Sequence, residues 1–297
     1  MYIAQYLNLN AGHSGLTFVD IDVDRDNRLF LDPCLIEHAN DEISLRAQKT
    51  LHSFEDKLFY EMKNEDWNNT NIFDHAHEVH STKLGYGNGL NGKGKTSKGL
   101  KESLDLLRTL VCDIDTISKI QDITIFVKDF AEDNMSDLLT NLLRKHLNDF
   151  TASIMRQYGI EPTGAQSYYF WNSETNSWDV SVEPFWVLGN KKILLVPKHW
   201  VRKRFIFRTH QYLMRVIVER LRNCAEYADF SKKEIRSCLE RTSDHWEYDN
   251  VIDYTKENPD ALEEYHDLLN HLYNNAGGCM SDKELDQVVY FIDENIA

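Results

Sequence analysis

Apolar residues in this chain come only in short bursts. Its longest apolar runs, Ile193 to Pro197 and Ile123 to Val127, fall far below the about 20 residues that a membrane-spanning helix needs. No transmembrane segment is expected, and the core must be assembled from many short amphipathic pieces. With 297 residues, 42% of them hydrophobic and 27% charged, the chain suits one large globular domain or two small ones. Five prolines and 13 glycines leave no long flexible linker. Met1-Tyr-Ile-Ala-Gln-Tyr6 has no basic stretch ahead of an apolar one, so no secretory signal is expected. The five cysteines (Cys34, Cys112, Cys224, Cys238, Cys279) are scattered and form no C-x-x-C. That pattern fits a reduced, cytoplasmic protein with structural thiols.

Charge is unevenly spread. The net charge of −15 argues against loose adhesion to nucleic acid or to an anionic membrane. Residues 191–222, however, hold ten basic residues and one acid, Glu219. That window carries +9, leaving −24 for the remainder, so the chain is strongly polarised.

Periodicity sets the order of elements. In residues 16–32, Val19, Ile21 and Val23 alternate with Asp20, Asp22 and Asp24, Asp24 to Asn27 supplies turn chemistry, and Leu29-Phe30-Leu31 returns, which predicts a hairpin. Residues 41–63 have helical spacing, as does a segment from about 99 to 111. The stretch 84–99 is glycine-rich and reads as a loop. Ile123 to Val127 resembles a buried strand, followed by a long amphipathic helix that reaches Tyr158 and is closed by Gly159. Lys191 to Val196 is the clearest strand of the β-prone segment 168–197. After Phe207 the pattern is helical, broken near Asn258-Pro259 and at Gly277-Gly278. This order predicts an α/β or α+β fold, with a mixed sheet core and an N-terminal hairpin over residues 1–204. A C-terminal helical subdomain would occupy 205–297.

Several constellations could carry chemistry. Gly89-Leu-Asn-Gly-Lys93-Gly94-Lys95-Thr96 fits G-x-x-x-x-G-K-[ST], in which amides cradle phosphates and the Lys reaches them. No strand pattern precedes it, so a mobile polar loop, or one closing over a phosphate-bearing substrate, competes with nucleotide binding. His75, His77, Glu78 and His80 miss the H-E-x-x-H zinc spacing by one residue; in an extended strand Glu78 and His80 would share a face beside the loop. Asp129, Asp133 and Asp137 follow the expected strand 123–127, where α/β proteins often place their chemistry. Asp133 and Asp137 could converge on Mg²⁺, which takes one or two carboxylates plus water and substrate phosphate. The competing reading makes Ser136 or Asn134 the cap of the next helix, with Asp137 in its first turn. Asp20, Asp22 and Asp24 read as the wet face of an edge strand. Lys198, Arg202, Lys203 and Arg204, interleaved with Trp200, Phe205 and Phe207, suit a nucleic-acid backbone. They equally suit docking onto the acidic remainder of the chain or onto a partner subunit. Glu183 with Lys191 or Lys192 has the residue types of a nuclease strand, at the wrong spacing.

Five segments taken together carry a resemblance. They are Phe18-Val-Asp-Ile-Asp with Leu-Phe-Leu-Asp-Pro33, Leu84-Gly-Tyr with Gly-Lys-Gly94, Asp133 to Asn141, Ile193 to Lys198, and Lys256 to Tyr265. The set resembles a poorly characterised bacterial protein family of mobile elements and anti-phage defence islands, over nearly the whole chain. The resemblance implies a defence role and nucleic-acid cleavage. The resulting expectation is a metal-dependent nuclease or related phosphodiester hydrolase. Asp133 and Asp137 would hold Mg²⁺, Glu78 would be a third acid and Lys198 a further catalytic group. Arg202, Lys203, Arg204, Lys93 and Lys95 would grip phosphates, with nucleic acid lying along residues 191–222. The alternatives are a non-catalytic interaction subunit of a defence complex and a nucleotide-binding switch. No membrane partner is expected.

Overall fold

The computed structural model describes residues 1–64, 67, 70–76, 81–86, 97–241, 243–275 and 278–291. Helices predominate, and the strands form two small antiparallel sheets, an α+β arrangement. The chain begins with α1 (Ile3–Tyr6), a 3₁₀ turn (His13–Gly15), β1 (Phe30–Leu31), α2 (Pro33–His38) and α3 (Glu42–Lys63). It continues with α4 (Ser97–Asp113), α5 (Asp122–Phe126), α6 (Glu132–Leu142) and α7 (Arg144–Gln157). Next come β2 (Gly164–Asn172), β3 (Ser177–Leu188), β4 (Lys191–Ile193), a 3₁₀ turn (Lys198–Trp200) and β5 (Val201–Arg202). The remainder is helical: α8 (Thr209–Tyr212), a π-helical stretch (Leu213–Ile217), α9 (Val218–Arg222), α10 (Lys232–Leu239), α11 (Trp246–Glu257), α12 (Asp260–Asn274) and α13 (Asp282–Tyr290).

Local chemistry accounts for the longer helices. Asp41 caps α3 by accepting the Ser44 amide, and Ala47, Leu51, Phe54, Leu58 and Met62 bury one stripe of it. Ser231 with Glu234, and Ser281 with Glu284, form capping boxes that start α10 and α13. Asn258 ends α11 and Pro259 opens α12, as the pattern predicts. Gly159 follows the last turn of α7, with φ +67°. The β3–β4 turn is Gly189-Asn190, both left-handed, the type I′ geometry that matches strand twist. No described helix is long and apolar enough to cross a membrane. One cluster of buried apolar side chains extends from Ile3 to Val289, drawing on residues before 204 and on the helices after it.

Three local expectations are corrected. Residues 16–32 do not pair as the two strands of a hairpin. Val19 N–H bonds Val196 O, Val23 N–H bonds Met1 O, and β1 pairs β5 through Phe30 with Arg202 and Leu31 with Val201. Asn27 turns the chain outward: its Nδ2 donates to the carbonyls of Asp22, Arg25 and Lys83. Ile123 to Val127 is not a strand, since 122–126 form the helix α5, buried on every side. A short, mostly apolar run interrupted only by Thr124 has no period by which strand and helix can be told apart. The helix expected to end at Tyr158 is two helices that meet at Leu143.

The wet-face reading of the early acids is corrected for Asp20, while Asp24 is exposed. Asp20 is 2% exposed. It accepts from the Ala4 amide at 2.6 Å and from the Tyr290 hydroxyl at 2.6 Å. Asp22 and Asp24 instead hold the N-terminal ammonium at 2.9 and 2.7 Å.

Candidate functional site at the start of α6

Helix α6 starts at Glu132, with Ala131 at its cap position and no side-chain cap. Glu132 and Asp133 occupy its first turn. Asp137 therefore lies within the helix, one turn beyond Asp133, and not in the first turn as expected. Ser136 does not cap either; its hydroxyl accepts the Leu31 amide at 3.1 Å and ties α6 to β1. Spacing of i and i+4 places the Asp133 and Asp137 carboxylates on one face, both partly exposed. Both also take part in further contacts.

The segment 81–86 passes beside this turn. It is held by Leu194 N–H to Ser81 O at 2.9 Å and Gly85 N–H to Asn27 O at 2.9 Å. Gly85 has φ +139°, and a Cβ there would lie 2.8 Å from Oδ1 of Asp133. Only glycine permits both that backbone and that approach. The next residue, Tyr86, is 46% exposed. Its ring rests on Phe30 at 4.6 Å, and its hydroxyl donates to Oε2 of Glu132 at 3.5 Å, a long bond. The Arg28 guanidinium lies 5.8 Å from the ring centroid. Burial and the Glu132 carboxylate raise the Tyr86 pKa, while the charges of Arg204 and Arg28 oppose that rise. One guanidinium, one exposed aromatic ring and the first-turn acids of α6 thus meet from distant parts of the chain, within reach of the Arg204 charge.

The other expected site residues are placed as follows. Lys198 donates to His13 O at 2.7 Å and to Oδ1 of Asp282 at 2.5 Å. Its partners belong to α13 and to the first 3₁₀ turn, not to α6. Arg202 donates to Gly278 O and lies over the Tyr273 ring at 5.5 Å. Lys203 and Arg204 are exposed. Glu183 pairs with Lys145 at 2.8 Å, and Lys192 reaches Gln166 instead. Glu78, Lys93, Lys95 and the whole 89–96 phosphate-loop match lie outside the described residues. Among the described residues, no three His, Cys, Asp or Glu side chains gather as metal ligands would. Two carboxylates one turn apart still meet the small protein-ligand demand of Mg²⁺.

Arg28, Tyr86 and Glu132 are additions that the sequence reading missed. Tyr86 stood in the glycine-rich segment as loop. Arg28 stood between the expected turn, Asp24 to Asn27, and the returning strand, with no role assigned.

Much of the basic window is spent within the chain. Arg220 holds Glu264 and Asp260 at 2.7 and 2.9 Å, Arg222 holds Glu219 at 3.1 Å, and Lys191 lies 3.8 Å from Asp24.

A family model described as a domain of unknown function, DUF8370, matches residues 8–207. No curated protein and no solved structure matches the chain.

Proposed function

We propose that this chain, which belongs to the DUF8370 family, binds a nucleic-acid strand where Arg28, Tyr86 and Arg204 meet the start of α6. There it would hydrolyse phosphodiester bonds with Mg²⁺. The observation that carries the reading is the Arg28 guanidinium, 5.8 Å from the centroid of one exposed ring whose neighbour Gly85 packs on Asp133, with the charge of Arg204 also acting on that ring's hydroxyl. Aromatic rings accept stacked bases, and guanidinium forks accept backbone phosphates. With most other cations of the window engaged internally, Arg28, Lys203 and Arg204 are the exposed ones that sit nearest this surface in sequence or charge.

Asp133 and Asp137 are the residues that would hold Mg²⁺. When bound, the ion neutralises charge on phosphoryl oxygens and activates water. Arg28 and Arg204 would orient the phosphate and balance its charge, and Tyr86 would stack on the adjoining base. Binding should weaken steeply with salt, because the affinity is local and electrostatic on a net-acidic chain.

Fluorescence polarisation with single-stranded DNA and RNA, followed by a Mg²⁺-dependent cleavage assay, tests both parts. Arg204→Glu should weaken binding about tenfold or more, as charge reversal at a phosphate contact does. Asp137→Ala should bind normally and fail to cleave. A folded wild type that neither binds nor cleaves overturns the proposal; binding without cleavage removes the hydrolytic part. Reduced phage plaque formation in cells carrying the chain, lost with Asp137→Ala, tests the defence setting.

One observation favours a second reading, a non-catalytic interaction subunit. The pairs Lys198–Asp282, Arg220–Asp260 and Arg220–Glu264 spend cations of the basic window on docking the chain's own helices. Salt-sensitive co-purification of one defined partner, with no metal dependence, would support it.

A further inference from the structure

A second cluster lies away from this surface, between the start of α7 and the β2–β3 hairpin. Helix α7 opens with Arg144 and Lys145 and has no acid in its first turn. Two cations at the positive end of a helix dipole are the wrong sign for stability. Lys145 is answered, by Glu183 at 2.8 Å and Asp149 at 3.4 Å. Arg144 has no carboxylate partner among the described residues, although burial depresses its pKa. Its guanidinium stacks 5.0 Å over the Tyr168 ring.

Two further donors stand there without a protein partner. Tyr168 is 7% exposed and its buried hydroxyl makes no hydrogen bond. Asn148 lies one turn along the Arg144 face of α7, is 7% exposed, and its buried Nδ2 is likewise unpartnered. A buried donor left unmet is costly, and such groups are nearly always satisfied. Here a cation and two donors are left over. The deficit is one of acceptors, and Arg144 is open enough to solvent to admit one.

We infer that Arg144, Tyr168 and Asn148 form a binding site for the carboxylate group of a small molecule. A carboxylate matches the planar guanidinium fork with two parallel bonds. A phosphate dianion fits less well, because the Glu183 and Asp149 carboxylates stand nearby and share the single ammonium of Lys145. Charge on the ligand should therefore be low. The site shares no residue with the nucleic-acid surface proposed above.

Thermal-shift titrations with sodium acetate and with inorganic phosphate, at constant ionic strength set by chloride, test the inference. Acetate should raise Tm saturably, by roughly 2–4 °C at tenfold over its dissociation constant for a chain of this size. The shift should persist in Arg204→Glu, vanish in Arg144→Met and weaken several-fold in Tyr168→Phe. Tyr168→Phe removes one hydroxyl that has no protein partner, so it folds even where Arg144→Met does not. An acetate shift undiminished in Arg144→Met or Tyr168→Phe overturns the site. A larger effect of phosphate than of acetate overturns the carboxylate assignment. No shift with either anion means that buried water meets these donors, and the proposal falls.

Discussion

The Tyr273 hydroxyl donates to Oδ2 of Asp32 at 2.8 Å, joining α12 to the cap of α2 across most of the chain. Asp32 is fully buried; its other oxygen accepts the amides of Cys34 at 2.8 Å and Leu35 at 3.2 Å. Burial pushes its carboxyl up to about 6, against the pull of the Tyr273 bond and the Arg202 charge. Tyr273→Phe removes one of three bonds to a buried carboxylate. It should cost about 1.5–3 kcal/mol at pH 8 and raise that pKa further. The loss should shrink at pH 5, where Asp32 is protonated in the folded state. Denaturant unfolding at the two pH values checks this, and an equal loss at both would contradict it.

The contribution of Glu55 to stability should fall as pH rises between about 4.5 and 7, against the opposite contribution of His146, whose buried ring is held down to about 4. Glu55, 8% exposed, is pushed up to about 7 by burial, and its Oε1 accepts the Ile120 amide at 2.7 Å. An acid whose folded pKa is raised keeps its proton in the folded state while the unfolded chain has lost it, so stability drops through that window. Asp32 acts in the same direction below about 6. Glu55→Gln keeps the acceptor and removes the charge. It should flatten the upper part of the profile and stabilise the protein at pH 8 by up to roughly 3 kcal/mol. A pH profile unchanged by Glu55→Gln would refute the assignment.

Lys198 should behave as a clamp for α13 and not as a catalytic group. It bridges His13 O and Asp282, while Asp286 takes Nδ1 of His13 at 2.7 Å. Lys198→Met should cost about 1 kcal/mol, the upper range for a partly exposed pair, and raise hydrogen exchange over residues 282–290. Asp282→Asn should do the same, and the double variant should add little. Loss of nucleic-acid cleavage with unchanged exchange in α13 would restore Lys198 to a catalytic role.

Gly85→Ala should destabilise by about 1–3 kcal/mol, since it combines a left-handed backbone with a carboxylate at van der Waals contact or closer. Shortening the opposing side chain should relieve part of this. The double variant Gly85→Ala with Asp133→Ala is expected to lose less than the two single losses combined. Full additivity in denaturant unfolding would show that the approach of Gly85 to Asp133 carries no energy.

Residues that act on their neighbours were legible in the sequence. Asp41 before an apolar stripe, Pro259 after Asn258 and Gly159 after Tyr158 each act within a turn or two of chain. Their helices stand close to where the periodicity puts them; their order left α/β and α+β open, and the two small antiparallel sheets decided for α+β. Residues whose partners lie far along the chain were not legible in this way. The 16–32 segment alternates as a hairpin does, yet its amides are met by Val196, Met1 and Lys83. Ile123 to Val127 is apolar but for Thr124, so local pattern could not choose between strand and helix; burial on every side permits the helix. The same holds for the sites. Asp133 was visible as an acid in a cluster. That Gly85 and Tyr86 would stand by the first turn of α6, with Arg28 over the ring, while Lys198 went to Asp282, depended on which surfaces packed. Hydrogen-bond satisfaction is a demand on the whole folded chain, and a residue's nearest neighbours in sequence meet only part of it.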